Sequence, residues 1–562
     1  MQRNGRRLVA TAAMMLAATV ALLPAAPAAF AAAPPTSPKG LLPPDAGLSA
    51  ASAVGAYYPA PARRLLGTAT SGYAAVPGVV ARVVVAGVPG VPPSGLSAAV
   101  VNLTATAGPA AVAITAFPGA GPLTGAPLGG PDGPMVSGSV PSVPSVPSVP
   151  SVLSVPSVPS VPSAATSLNA PNLLSRPAVP GLSVTAPAGG SRTTLVTVPL
   201  DPAGGFDLAT AGGAARVTID LVGVYAADDT VVARLGAPGG YQPLDPVRLL
   251  GRSDTAAAGP TSTGTAATGL PSSAPTIDPS LLVPVPAGTT IRLGVDLGSS
   301  TPHVTALAVR ASVLTATVAG TVDVTGGARP AAIPATGGAD SDADLPTPST
   351  TPSPLTRPYA TPTLTLAPGS AASNLAFVPA VLGSDGLLAL EIRNASAGPA
   401  DIRVDLIGFY DDGQLGPNLR FRSLVPTRVV DTSTGVGMHA LGVGGQGTLS
   451  PPAAVAGDNT FGLVGTLTVR TTGLGADLAL WPGSGARPVN GSLPVTAGSV
   501  VAGPVQSELG TDGRLELASS SGPADLTLDV VGSFESYPAV TDPTMRGWVH
   551  AVPSWQVRAV RY

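Results

Sequence analysis

Hydrophobic and polar positions alternate along most of the chain. "AAVVNLTATA", "AVAITAF", "TALAVRASVLTATV", "LVGTLTVRT" and "GRLELAS" either alternate apolar with polar or run apolar, and Gly, Pro and Asp-Gly separate such segments. A period of two ended by turn residues predicts short strands. No segment keeps the 3.6-residue period of an amphipathic helix. Many short strands with frequent turn signals predict an all-β fold of the sandwich or barrel kind. Two stretches break the pattern. The first 33 residues pair Arg3, Arg6 and Arg7 with an apolar run from Leu8 to Leu23 and a small-residue site at Ala29-Phe30-Ala31. That is the form of a secretory signal peptide. The second is "SVPSVPSVPSVPSVLSVPSVPSVP", from Ser139 to Pro162. Its proline period blocks both helix and central strand. As polyproline II it would extend roughly 75 Å at ~3.1 Å per residue.

The strand pattern recurs in three copies, which matters because internal repeats decide the architecture. Opening segments "YYPAPARRLLGT", "YQPLDPVRLLGR" and "FRSLVPTRVVDT" begin with Tyr57, Tyr241 and Phe421, and each carries an arginine seven positions on: Arg64, Arg248 and Arg428. Closing segments "ARVTIDLVGVY", "ADIRVDLIGFY" and "ADLTLDVVGSF" carry Asp220, Asp405 and Asp529, then Gly223, Gly408 and Gly532, then an aromatic two positions later. The opening aromatic and closing aspartate stand 163, 164 and 108 residues apart. The third copy is therefore the bare unit, and the first two carry insertions. Loop tips tolerate such insertions, because closure entropy grows slowly with loop length.

The expected order is a signal peptide (1–33), a linker (34–56), copy 1 (57–227, with a disordered Ser-Val-Pro insertion over about 129–163) and a linker (228–240). Copy 2 (241–412, with linkers at about 253–280 and 331–358), a linker (413–420) and copy 3 (421–537) follow. The tail (538–562) faintly echoes an opening segment, as the worn stub of a fourth copy or as a docking strand. The fold expected is three tandem β-sandwich-like domains.

"FRSLVPTRVVDTSTGVG" resembles the F-x-P-x-x-P-x-R-h-h-D-T-R-x-G motif (h, aliphatic) that opens repeated domains of secreted actinobacterial proteins. "DVVGSF" and "WPG" resemble the same family. The likeness is clearest from Phe421 to Phe534. Copies 1 and 2 put Gly67 and Gly251 in place of Asp431, and Ser433 stands where the family has a second arginine. The resemblance implies an extracellular β-domain, found alone or appended to cell-wall hydrolases, with no activity established for the module itself.

Composition agrees and narrows the options. Only 10% of residues are charged and the net charge is −3, with no basic run beyond the N-terminus, which excludes an electrostatic nucleic-acid binder. No cysteine is present, so disulfides, zinc thiolates and a cysteine nucleophile are excluded. No stretch of the mature chain is apolar enough for a membrane span. Oligomeric state cannot be read from the residues.

Candidate sites follow. Arg64–Asp220, Arg248–Asp405 and Arg428–Asp529 read as charge-assisted pairs tying the ends of each domain, since an aspartate among strand aliphatics needs a partner. Trp481, beside a Pro-Gly turn, and Phe117, at the matching place in copy 1, could each offer a flat face to a sugar ring; the bland alternative is an aromatic packed under its own loop. Asp340, Asp342 and Asp344 have the spacing of calcium-loop carboxylates, but Leu345 and Thr351 occupy the required Gly and Glu positions. His303, His439 and His550 have no metal-ligand spacing. A triad around His439 would have to be built in space. "GVGGQG" at 442–447 lacks a following helix to cradle a phosphate. The expectation is a non-catalytic secreted protein with a structural or adhesive role and no cofactor. Binding of cell-wall or environmental polysaccharide is the alternative, and a secreted hydrolase a distant third.

Overall fold

The computed structural model describes residues 52–67, 72–119, 181–236, 238–251, 284–327, 362–471, 473–485, 487–488, 493–520, 522–537 and 557–561. The signal segment, the Ser-Val-Pro tract, both copy-2 linkers, Asp340, Asp342, Asp344 and His550 lie outside the described residues.

Copy 1 contains β1 (Tyr57–Leu66), β2 (Tyr73–Ala75), β3 (Val80–Val84), β4 (Leu96–Ala107), β5 (Val112–Pro118), β6 (Leu182–Ala186), β7 (Ser191–Pro199), β8 (Gly205–Gly212) and β9 (Ala215–Ala226). Copy 2 contains β10 (Tyr241–Leu250), β11 (Thr290–Asp296), β12 (Val304–Val313), β13 (Gly320–Gly326), β14 (Leu364–Leu366), β15 (Ala372–Pro379), β16 (Leu388–Asn394) and β17 (Ile402–Asp411). Copy 3 contains β18 (Asn418–Asp431), β19 (Gln446–Leu449), β20 (Thr460–Thr471), β21 (Ala476–Pro482), β22 (Leu493–Val495), β23 (Val500–Glu508), β24 (Leu515–Ser519) and β25 (Ala524–Tyr537). A last strand, β26 (Arg558–Arg561), follows. The protein is all-β, with antiparallel pairing throughout.

Each copy has two layers with the same strand order, and the first layers of copies 2 and 3 join edge to edge through β10 and β18 into one eight-stranded sheet. The first sheets run β1-β9-β4-β7, β10-β17-β12-β15 and β18-β25-β20-β23. The second run β3-β8-β5-β6, β11-β16-β13-β14 and β19-β24-β21-β22. Alternation buries one face of each sheet: in copy 3, Leu467 and Val469 of the first sheet share a core with Leu478, Leu515 and Leu517 of the second. The long insertions of copies 1 and 2 fall at one connection, between β5 and β6 and between β13 and β14, which copy 3 crosses between β21 and β22. The stretch expected to link copies 1 and 2 is partly ordered: a 3₁₀ turn at Asp229–Val231, capped by the Asp228 carboxylate, leads into one helical turn, Val232–Leu235.

The three copies also share one core. Every first strand passes its closing partner through the same irregular register, a step between Pro59 and Arg63, between Pro243 and Val247, and between Ser423 and Thr427. Prolines 61, 246 and 426 fall within these excursions, where a missing N–H interrupts no ladder. The closing strands each bulge once, just before Gly223, Gly408 and Gly532. There the opening aromatic lies against the glycine. A Cβ at Gly223, Gly408 or Gly532 would clash with the outer ring atoms of Tyr57, Tyr241 or Phe421 respectively. The hydroxyls of Tyr57 and Tyr241 donate to the bulge carbonyls of Val222 and Ile407, at 3.4 and 2.9 Å.

These rings meet across copies. Tyr57 of copy 1 sits 4.2 Å from Tyr410 of copy 2, Tyr241 of copy 2 stacks 4.8 Å from Phe534 of copy 3, and Phe421 of copy 3 stacks 4.2 Å from Tyr225 of copy 1. Each opening ring therefore meets the closing ring of the next copy, and the cycle closes after three. Tyr225 and Tyr410 also join hydroxyl to hydroxyl at 2.6 Å. Polar contacts extend the junction: the Leu195 amide donates to Asn374 Oδ1 at 2.8 Å, and the Thr185 hydroxyl to the Val500 carbonyl at 3.1 Å. The outcome is that the described residues of all three copies form one compact unit.

Candidate functional site

The recurring charges lie in direct cross-strand register. Arg64 faces Asp220, Arg248 faces Asp405 and Arg428 faces Asp529. The arginine Nε donates to the aspartate at 2.5, 2.5 and 2.8 Å, and a second bond from Nη2, at 3.4 Å in copy 2 and 2.8 Å in copy 3, makes those pairs bidentate. All six side chains are largely buried. Bonding to Asp529 holds the Arg428 guanidinium above its usual range, against the opposing cost of burial. Asp431, the motif aspartate, does different work. Its carboxylate accepts from the Ser433 amide and hydroxyl and folds the turn behind the strand.

A second set of acids was not singled out from the sequence. Asp207, Glu391 and Glu516 occupy matching places on the central strands of the second sheets, and each is at most 9% exposed. Each lies opposite the residue at the place examined for an aromatic: Phe117, Thr325 and Trp481. On the other side stand Arg82, Arg292 and Thr448. Arg82 bonds Asp207 at 3.2 Å and also pairs with Asp201, and Arg292 bonds Glu391 at 3.0 Å. In copy 3 the arginine is replaced. Glu516 accepts instead from the Thr448 hydroxyl at 2.7 Å and the Gln446 amide at 3.0 Å. The signal was present as "F-D-L", "L-E-I" and "L-E-L", an acid between apolar residues in each copy.

Trp481 does not present a free ring face. It is 5% exposed, packs with Ala479 and Ala518, and has the Arg487 guanidinium 5.8 Å from its ring centre. Phe117 is half-buried. The sugar-stacking role considered for Trp481 therefore gives way to packing under its own strand end, because the sheet's outer face folds into a small apolar cluster there.

The partners of Glu516, Gln446 and Thr448, border a concavity. A cleft of about 470 Å³ is lined by Met438, His439, Gln446, Thr448 and the glycines around them. The "GVGGQG" stretch is its rim: it closes a turn, Gly445 N to Gly442 O at 2.9 Å, and enters β19. His439 is exposed and bonds to no described residue. His303 faces Asp412 at 3.1 Å, but no described serine completes a relay with it. Among the described residues no group of His, Asp and Glu could hold a metal ion.

No protein-family profile matches the chain, and no curated protein does. Among solved structures, that of the infectious bursal disease virus Gt strain aligns at 13% identity over 45% of this chain and 69% of that one, with a TM-score of 0.12, a likeness too slight to carry an argument.

Proposed function

We propose that the mature chain is a non-catalytic extracellular protein with a structural or adhesive role at or near the cell surface. One observation carries this reading. The residues that recur in every copy are engaged in holding the block together, the aromatics in a shared core and the arginines and aspartates in buried pairs. A repeated ligand site would instead leave its recurring residues facing solvent. The leader-like first 33 residues and the resemblance of 421–534 to secreted actinobacterial domains support the location.

Glycan binding is the second reading. Its support is the cleft with Gln446, Thr448 and His439, rather than Trp481. Incubation of the mature protein with purified peptidoglycan, cellulose and chitin separates the readings. Neither pelleting nor sugar release is expected. Pelleting without release would favour glycan binding. Release of soluble sugar would overturn both.

A further inference from the structure

Each copy ends its second sheet on an edge strand: β3, β11 or β19. Two of these edges are closed. β11 carries β26, with Leu293–Asp296 paired antiparallel to Arg561–Arg558. β19 is four residues long, shows polar Gln446 and Thr448 on its outward face, and runs into Pro451 and Pro452, which have no amide to offer.

β3, five residues long, lacks the added strand, the polar outward pair and the prolines directly after the strand. Residues 79–88 contain no proline, lysine or acid. Ala81 and Val83 point into the core, whereas Val80 and Val84 are 47% and 40% exposed, and Val76 and Val79 just before them are 49% and 50% exposed. Its one charge, Arg82, is bound by Asp201 and Asp207 and does not guard the edge. Among the described residues no strand pairs with its outer side. An apolar edge with unpaired N–H and C=O groups is a template for another strand.

We propose that β3 is the surface through which two copies of this chain join, edge to edge and antiparallel. The edge complements itself. Pairing centred on Arg82 sets Val80 against Val84 of the second copy at both ends and Ala81 against Val83, with every side chain on its own face. The two-fold operation closes, so the assembly stops at a dimer. The two Arg82 side chains meet at the axis, each already bonded to two carboxylates. The chain's own C-terminal strand is not the occupant. It is seated on β11, and of the copy-1 residues matching its seat, 83–86, the last two leave the strand, with the amides of Val85 and Ala86 both bonded to the Gly204 carbonyl.

Sedimentation of the mature chain over a concentration series tests this. The parent chain and a Val443→Lys control, which alters an exposed turn valine elsewhere, should form a dimer. The double variant Val80→Lys/Val84→Lys should be monomeric over the same range, with its β-sheet spectrum and melting temperature kept. If that variant loses its spectrum, Val84→Lys alone should weaken the dimer at least tenfold. A parent chain monomeric at its highest soluble concentration overturns the proposal. So does a dimer that survives the lysines, or one lost equally in the control.

Discussion

The closing glycines show how one missing atom shapes this fold. Gly532 is extended like its neighbours, so no unusual backbone angle demands glycine there. What demands it is the Phe421 ring lying where a Cβ would stand. The spacing of aspartate, two aliphatics, glycine, one residue and aromatic then has a physical reading. The aspartate bonds the arginine, the bulge turns the strand, the glycine receives the opening ring, and the last aromatic meets the opening ring of the preceding copy in the cycle. Gly532→Ala should force the ring or the bulge to move and cost about 1–3 kcal/mol, the range for overpacked cores. A denaturant titration measures it, and a midpoint equal to the parent would refute the close approach. The Arg–Asp partners were legible in the sequence because a charge between strand aliphatics needs an opposite charge in reach. The Asp207, Glu391 and Glu516 set obeys the same rule and was passed over, since its partners Arg82 and Arg292 do not share a motif with them and copy 3 lacks the arginine.

At the scale of elements, the tail is the clearest gain from the structure. Its sequence allowed a fourth-copy stub or a docking strand, and the described part is a strand on β11 of copy 2, reaching back past the whole of copy 3. Val557 is 1% exposed within the copy-2 core, while Arg558 and Arg561 lie at the surface. Alternation could not reveal this, because four residues are too short for a period and an edge strand needs only free backbone groups. Ending the chain at residue 556 should remove about 2 kcal/mol of apolar burial and four residues of ladder. Hydrogen exchange should then show β11 amides at 293–296 losing protection at least tenfold, with β20 and β25 unchanged. Equal protection in the two chains would mean that β26 does not hold that edge.

For the molecule as a whole, the decisive feature is the ring of aromatics. Three sandwiches joined only by linkers would each expose an aromatic pair, and instead the pairs interlock in a cycle. Burial raises the pKa of Tyr57, Tyr225, Tyr241 and Tyr410 above the usual value near 10. The sign follows from linkage. A folded pKa raised above the unfolded one means that the fold favours the protonated phenol, so this stabilisation is fully present below about pH 10 and is lost as pH rises toward the folded values. Tyrosinate absorbance from these four should therefore appear only together with loss of the β-sheet spectrum. A single rise near pH 10 with the spectrum intact would show that the cluster is open to water. By itself the sequence determined the all-β class, the recurring opening and closing segments and the partners of the recurring arginines, because a period of two, turn residues and the need to neutralise a buried charge are all local or pairwise constraints. Only the tertiary structure decided that the recurring aromatics face one another across copies, that Trp481 is packed away, and that one edge is capped by the tail while another stays open. These depend on how whole sheets pack, and apolar contact has no direction that a pattern along the chain could encode.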